Sequence, residues 1–344
     1  MADGMHYIGL DIHKKTIGYC VKDQSGKLYG EGVIPATRLD IERWTKTLPQ
    51  PWTAAMEATM FTGWIYDYLL PRAAAVKVAN PLMLRAIAAS KKKNDRVDAA
   101  KLADCLRCDF LPECYMAPAE VRERRRTLRY RNLLVRQAVQ CKNKIAQMLM
   151  EAGVSYTKEK LHYRGYFNQL MANQEEIDEA LRPLLRLTRE NIVRLRRTEA
   201  ALVRSLRRDP LLTERVKRLM SIPAVGPITA LTWILEVGDV KRFPSVKQLI
   251  SYCGLCGAEH SSAGTAKRTP ISKQRNRHLQ TVLVEAAHQA PRLNPDLALL
   301  YEKEAQRGNR NRATLAVARK LVAYLFAVDR GERVFVTNHA SAAG

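Results

Sequence analysis

Short apolar runs separated by polar turns dominate the first 117 residues. Runs at 7–11, 16–21 and 27–34 read as three successive strands, with Asp23, Ser25 and Gly26 marking the second turn. Residues 41–48 follow a short helical pattern. A fourth apolar run, 54–56, precedes a helical stretch through 64–70, and a fifth, 75–79, ends before Asn80-Pro81. Helical segments are then expected over 82–89 and 96–106.

From 118 to 150 the pattern becomes one long basic helix, with Pro118 near its start and Gly153 beyond its end. A second long helix is expected from about 175 to 208, where Asp209-Pro210 breaks it. Its apolar stripe reads Leu181, Leu184, Thr188, Ile192, Leu195, Leu202 and Leu206, close to a 3.5-residue repeat that Glu199 interrupts. Such a stripe suits an antiparallel helix pair or an intersubunit coiled coil, although a long solvated helix has the same look. The block from 214 to about 335 reads as mainly helical, and the tail 336–344 as disordered. The chain is therefore expected to be α/β plus α, with domains at 1–117, 118–213 and 214–335. Three meandering strands followed by strand–helix alternation is the element order of a ribonuclease-H-like fold, an analogy that establishes no function by itself.

Charge narrows the partners. Lys and Arg total 57 against 34 Asp and Glu, a formal net charge of +23. The excess is uneven: residues 121–160 hold 11 Lys/Arg and 3 Asp/Glu. A polyanion is implied, nucleic acid before membrane, since no run of about 18 apolar residues exists to span a bilayer. Aromatics make up only 7%, so contacts should go to the nucleic-acid backbone rather than to stacked bases. Seven cysteines, an odd number, and an N-terminus without a basic-then-apolar leader point to reduced thiols in a cytosol.

Against this basic background four acids stand out. Asp11 ends the run His6-Tyr-Ile-Gly-Leu-Asp11, and Glu57 ends Trp52-Thr-Ala-Ala-Met-Glu57. Asp95 and Asp98 lie three apart on an expected helix and so share one face. Converging carboxylates repel unless a hard divalent cation lies between them. Later, Ser221-Ile-Pro-Ala224-Val-Gly226-Pro resembles the turn of a helix-hairpin-helix unit, with Ala224 where such turns often place glycine. The pair Ser261-Ser262 lies in a small-residue loop followed by Lys267, Arg268, Lys273, Arg275 and Arg277. A serine hydroxyl is a weak nucleophile unless a base or metal activates it. Cys105-Leu-Arg-Cys108 and Cys253-Gly-Leu-Cys256 are too far apart in sequence to favour zinc.

The acidic quartet, taken with Gly9-Leu-Asp11-Ile-His-Lys14, Met56-Glu57-Ala-Thr59, Lys93-Asn-Asp95-Arg-Val-Asp98 and the late Gly254-Leu…Ser-Ser…Ile271-Ser-Lys273…Asn276 block, resembles the DEDD insertion-sequence transposases. These form the one-ten family, with the Piv-type DNA invertases and bridge-RNA-guided recombinases among its members. The resemblance spans nearly the whole chain. It implies a RuvC-like N-terminal domain, a helical coiled-coil linker and a C-terminal transposase domain.

It also implies that Asp11, Glu57, Asp95 and Asp98 bind Mg²⁺ at the scissile phosphate, and that a serine attacks that phosphate to form a phosphoserine–DNA intermediate. Alignment puts the nucleophile at Ser262, with Ser261 as the alternative because Ala263 stands where relatives carry glycine. The implied partners are donor and target double-stranded DNA, a bridge RNA and further copies of the chain, as dimer or tetramer, in a prokaryotic cytosol. Arg122, Arg125, Arg129, Arg136 and Lys142 on the first long helix, with the five basic residues after the serines, are the expected backbone contacts. Two rivals remain: a junction endonuclease with water as nucleophile, and a non-catalytic nucleic-acid scaffold.

Overall fold

A computed structural model describes residues 4–87, 95–173, 175–262, 265–272 and 274–336. The chain forms two compact units, Met1–Ala119 and Glu120–Gly344. From residue 337 the expected tail lies outside the described residues.

The first unit is built on five strands: β1 (His6–Ile12), β2 (Thr16–Lys22), β3 (Leu28–Pro35), β4 (Trp52–Glu57) and β5 (Ala75–Ala79). Their order is β3-β2-β1-β4-β5, with the first three antiparallel and β4 and β5 parallel to β1. Helices α1 (Arg38–Thr45), α2 (Thr62–Leu69), α3 (Pro81–Ile87) and α4 (Asp95–Arg107) complete it.

Strand alternation sorts the core. Ile8, Leu10, Ile12 and Met56 pack with Ile41 and Trp44 of α1 and Ile65 and Leu69 of α2. On the opposite face, Ala55 and Ala79 pack with Leu102 and Leu106 of α4. The small residues Ala99 and Ala103 meet Cys20 of β2. The Lys22 ammonium bonds Asp104 of α4 at 2.6 Å, which ties the helix to β2.

In the second unit, α5 (Ala119–Glu151), α6 (Arg164–Asn173) and α7 (Leu181–Arg208) precede α8 (Pro210–Leu219), α9 (Pro227–Val237) and α10 (Val246–Tyr252). A hairpin of β6 (Gly257–Ser262) and β7 (Thr265–Ile271) follows, then α11 (Arg277–Gln289), α12 (Pro295–Gln306) and α13 (Arg310–Arg330).

The second long helix starts at Leu181, later than its periodicity suggested, because the Asp178 carboxylate accepts from the Leu181 N–H at 2.6 Å. The short helix α6 carries its own apolar face, Phe167, Leu170 and Met171, and was not expected. On α7 the buried positions are Leu185, Ile192 and Leu206, with Glu199 midway between the last two, seven residues from each. Leu184, placed in the stripe by sequence, is 53% exposed. Glu199 does not break the stripe, because it bonds Arg131 of α5. Arg124 of α5 bonds Asp209, just past α7, at 2.6 Å. As residue numbers fall on α5 they rise on α7, so the two helices run antiparallel. Ile145, Leu149, Phe167, Leu170, Leu185 and Ile192 fill the core at the far end.

Nearly all of α9 is buried, and Trp233, Leu235 and Val237 pack with Leu321, Val322 and Leu325 of α13. Asp329, buried on α13, accepts from the Arg215 guanidinium at 2.6 and 2.7 Å and from the Trp233 indole at 2.8 Å. One carboxylate thus pins α8, α9 and α13 together. Among the described residues, no helix is long and apolar enough to cross a membrane.

Candidate functional site

Two of the four expected acids, Asp11 and Glu57, meet at the carboxyl ends of β1 and β4. Strands β1 and β4 pair in parallel, with Gly9 opposite Ala55 and Leu10 opposite Met56. Asp11 and Glu57 are the next residues on each, so they sit side by side at the carboxyl ends of adjacent strands, roughly 5 Å apart along the backbone. By strand alternation they belong to the face that α4 covers, since Ala55 two positions before Glu57 packs against Leu102.

Helix α4 reaches this face because Gly9 has no side chain. A Cβ there would lie 1.9 Å from the Ala99 carbonyl oxygen and 2.5 Å from the Ala103 nitrogen. The crossing therefore falls two residues before Asp11 on the strand and one residue after Asp98 on the helix. Asp95 opens α4, and its side chain lies outside the described residues.

Asp11 is partly buried and lies 3.2 Å from the His13 imidazole. Asp98 accepts from the Lys101 ammonium at 3.0 Å. The turn after Glu57 is stapled: the Thr62 hydroxyl donates to the Glu57 carbonyl at 2.8 Å and accepts from the Thr59 N–H at 2.8 Å. Among the described residues, no three His, Cys, Asp or Glu side chains are gathered closely enough to hold a metal ion. The described donors, Asp11, Glu57 and Asp98, offer carboxylate oxygen, the donor type a hard divalent cation takes, and on Asp98 the Lys101 ammonium would have to share it.

In the second unit, the serines expected in a loop lie instead at the end of a β-hairpin. Ser261 pairs with Ala266 and Ser262 with Thr265, on either side of residues 263–264, which lie outside the description. The side chains of both serines, of Lys267 and of Arg268 are likewise outside the description, as is Lys273.

The base of this hairpin is held from several elements. The Ser272 N–H donates to the Cys256 carbonyl at 2.9 Å. Gln280 of α11 donates to the Gly254 carbonyl at 2.6 Å and Arg319 of α13 to the Leu255 carbonyl at 2.9 Å. Gly254 has φ +71°, with the Arg275 side chain packed where a Cβ would stand. Arg275 also donates to the Ser272 carbonyl at 2.9 Å. Burial pushes the neighbouring Cys253 thiol up to about 12, which disfavours a metal-binding thiolate there.

Three of the arginines expected on nucleic acid are engaged inside this unit, Arg275 at the hairpin foot and two on α5. Arg129 donates both arms of its guanidinium to Glu236 at 2.8 Å each, and Arg125 donates to the Leu235 carbonyl at 2.6 Å. Arg136 and Arg277 are exposed, and Lys142 is half-buried. Burial and the nearby Arg196 lower the Lys142 ammonium below its ordinary value.

Glu236 is the functional-looking residue that sequence reasoning passed over. Its side chain is 1% exposed. Burial opposes its charge, yet hydrogen bonds from Arg129 and Asn276 hold its carboxyl below the ordinary value of 4.5. The available signal was one acid inside the apolar run Leu231-Thr-Trp-Ile-Leu-Glu236-Val, since a buried carboxylate demands partners.

Comparison with known proteins gives two matched segments. Residues 8–153 match the model of the DEDD transposases of IS110, described as "Transposase". Residues 216–302 match that of the "Transposase IS116/IS110/IS902 family". The transposase for insertion sequence element IS1111A of Coxiella burnetii is 24% identical over 328 residues, covering 93% of this chain and 88% of that protein. The transposase for insertion sequence element IS1328 of Yersinia enterocolitica is 24% identical, covering 81% and 82%. The pilin gene-inverting protein of Moraxella bovis is 29% identical over 129 residues, covering 37% and 40%.

Proposed function

The chain belongs to the IS110 family of insertion-sequence transposases, and we propose that it cuts and rejoins DNA with a DEDD carboxylate site and a serine nucleophile. The observation that carries the first half is the register of β1 and β4, which brings Asp11 beside Glu57 on the face that Asp98 approaches through Gly9. The strand order β3-β2-β1-β4-β5 supports reading this unit as RuvC-like.

Asp11, Glu57, Asp95 and Asp98 would hold Mg²⁺. When bound, the ion neutralises charge on the phosphate under attack and eases loss of a proton from the incoming hydroxyl. His13 and Lys101 orient the carboxylates in the meantime. Ser262, or Ser261 if the alignment slips by one, attacks phosphorus; the P–O(serine) bond forms as one P–O(strand) bond breaks, and the freed strand end leaves as a hydroxyl that takes up the proton the serine loses. The ester conserves the energy of the broken bond, so strands rejoin without ATP.

The antiparallel α5–α7 pair, with its seven-residue spacing, is read as the coiled-coil linker (118–213) between the RuvC-like (1–117) and transposase (214–335) domains, and as an assembly surface for a dimer or tetramer. Donor and target DNA and a bridge RNA are the proposed partners. Arg122, Arg136, Lys142, Lys267, Arg268, Lys273 and Arg277 are the proposed backbone contacts. Arg125, Arg129 and Arg275 act inside the fold instead, bonded to Leu235, Glu236 and Ser272.

The test is strand cleavage of donor DNA by the protein with its copurifying nucleic acid. Asp11→Ala, Glu57→Gln and Asp98→Asn should each abolish Mg²⁺-dependent cleavage while DNA binding persists. Cleavage that survives all three overturns the carboxylate assignment.

A further inference from the structure

Glu236 has three hydrogen-bond partners on separate parts of the second unit, with Arg125 a further charge at 3.9 Å. Its carboxylate takes both arms of Arg129 from α5 and the Asn276 amide at 2.8 Å, and its backbone carbonyl accepts from the Tyr252 hydroxyl at 3.0 Å. Asn276 closes the outgoing foot of the serine hairpin. Its N–H donates to the Tyr252 carbonyl at 3.3 Å. Its side-chain oxygen caps α11 by accepting from the His278 and Leu279 N–H groups at 3.1 and 3.2 Å. Its amide nitrogen is thereby aimed at Glu236, and one side chain joins hairpin, helix and buried acid.

The Glu236 carboxylate is buried and its Arg129 partner half exposed, and such a pair adds little net stability because desolvation of the acid cancels most of the attraction. What the two-armed bond does supply is angular definition. The other side-chain bonds at this foot, from Gln280, Arg319 and Arg275, end on backbone carbonyls rather than on a buried charge. We infer that Glu236 is a positioning residue: held by Arg129, it fixes Asn276 and hence the hairpin foot from which the serine hydroxyls are presented. Its side chain is 1% exposed, so it acts through Asn276. The inference rests on the reading that this hairpin carries the nucleophile.

Two variants test it, each made in the full chain with its copurifying nucleic acid. Glu236→Gln keeps size and loses the charge that grips Arg129. Asn276→Ser keeps a capping oxygen for α11 and loses the donor to Glu236. At saturating DNA, both should slow formation of the covalent protein–DNA adduct by tenfold or more, with DNA affinity within twofold and secondary structure intact. The double variant should be no slower than the slower single variant, because both changes interrupt one chain, Arg129–Glu236–Asn276. Independently of chemistry, hydrogen exchange at the Ser272 amide should quicken tenfold or more in both variants.

Unchanged exchange at Ser272, or a fall in rate matched by an equal fall in affinity, overturns the inference. Global unfolding of both variants also overturns it, assigning the clamp to stability alone. If the parent forms no adduct yet exchange responds as stated, the nucleophile reading fails while the positioning role stands.

Discussion

Gly9 and Ala99 meet backbone to backbone, with 1.9 Å between the Ala99 carbonyl oxygen and the place a Gly9 Cβ would occupy. Both contacting groups are main chain, so neither yields by a rotamer change. Gly9→Ala must push α4 away by about 1 Å or more and cost about 2 kcal/mol, the usual range for overpacking. Because α4 carries Asp95 and Asp98, cleavage should fall roughly 100-fold, as about 1 Å of misplacement does elsewhere. Thermal melts and a cleavage assay on the same preparation check both figures.

Ala224 holds φ +68° in the turn between α8 and α9. A left-handed conformation costs a non-glycine residue about 1–2 kcal/mol, of which glycine's looser unfolded chain returns about half. Ala224→Gly should therefore stabilise the protein by about 0.5–1 kcal/mol. Urea denaturation should show a higher midpoint with an unchanged slope.

Asp329 is nearly sealed from solvent and is the shared acceptor of Arg215 and Trp233. Asp329→Ala leaves a part-buried guanidinium and an indole N–H without their acceptor. A loss of about 3–5 kcal/mol is expected, as for other broken buried pairs. The melting temperature reads it directly, and a drop of only a degree or two would contradict it.

The sequence made some of this legible and hid the rest for identifiable reasons. The 75–79 strand coincides with β5, and the other strands shifted by only a few residues, because apolar alternation and turn residues are local signals. Leu184 was placed in the α7 stripe where Leu185 belongs. Adjacent leucines fit a helical period equally well, and only the packing with α5 separates them. The β6–β7 hairpin was read as a loop because its serines, alanines and glycines have weak strand propensity. Arg125 and Arg129 looked like nucleic-acid contacts because their partners, Leu235 and Glu236, lie more than a hundred residues away. Asp11 and Glu57 were readable because each ends an apolar strand. That the two strands are neighbours was not.

Stability should depend on pH through two histidines. Burial, with Lys142, Arg196 and Arg189 nearby, lowers His162 below its ordinary 6.5. Burial, then Arg129, Arg277 and Arg136 against the opposing Glu236, lowers His278. The unfolded chain therefore takes up these protons at a higher pH than the folded one. Stability contributed above about pH 6.5 is lost as pH falls through the depressed folded values. The unfolding free energy in urea should rise between about pH 5 and about pH 7.5, and His162→Gln or His278→Gln should each flatten the rise. Glu236 acts separately, below its ordinary 4.5.

Ser262 is the proposed nucleophile and Ser261 its alternative, and one gel tells them apart. Donor DNA is incubated with Mg²⁺ and the protein carrying its copurifying nucleic acid, then resolved under denaturing conditions. A covalent protein–DNA band is predicted that persists in Ser261→Ala and disappears in Ser262→Ala and in Asp11→Ala. Cut strands with no attached protein would contradict the account and identify water as the nucleophile.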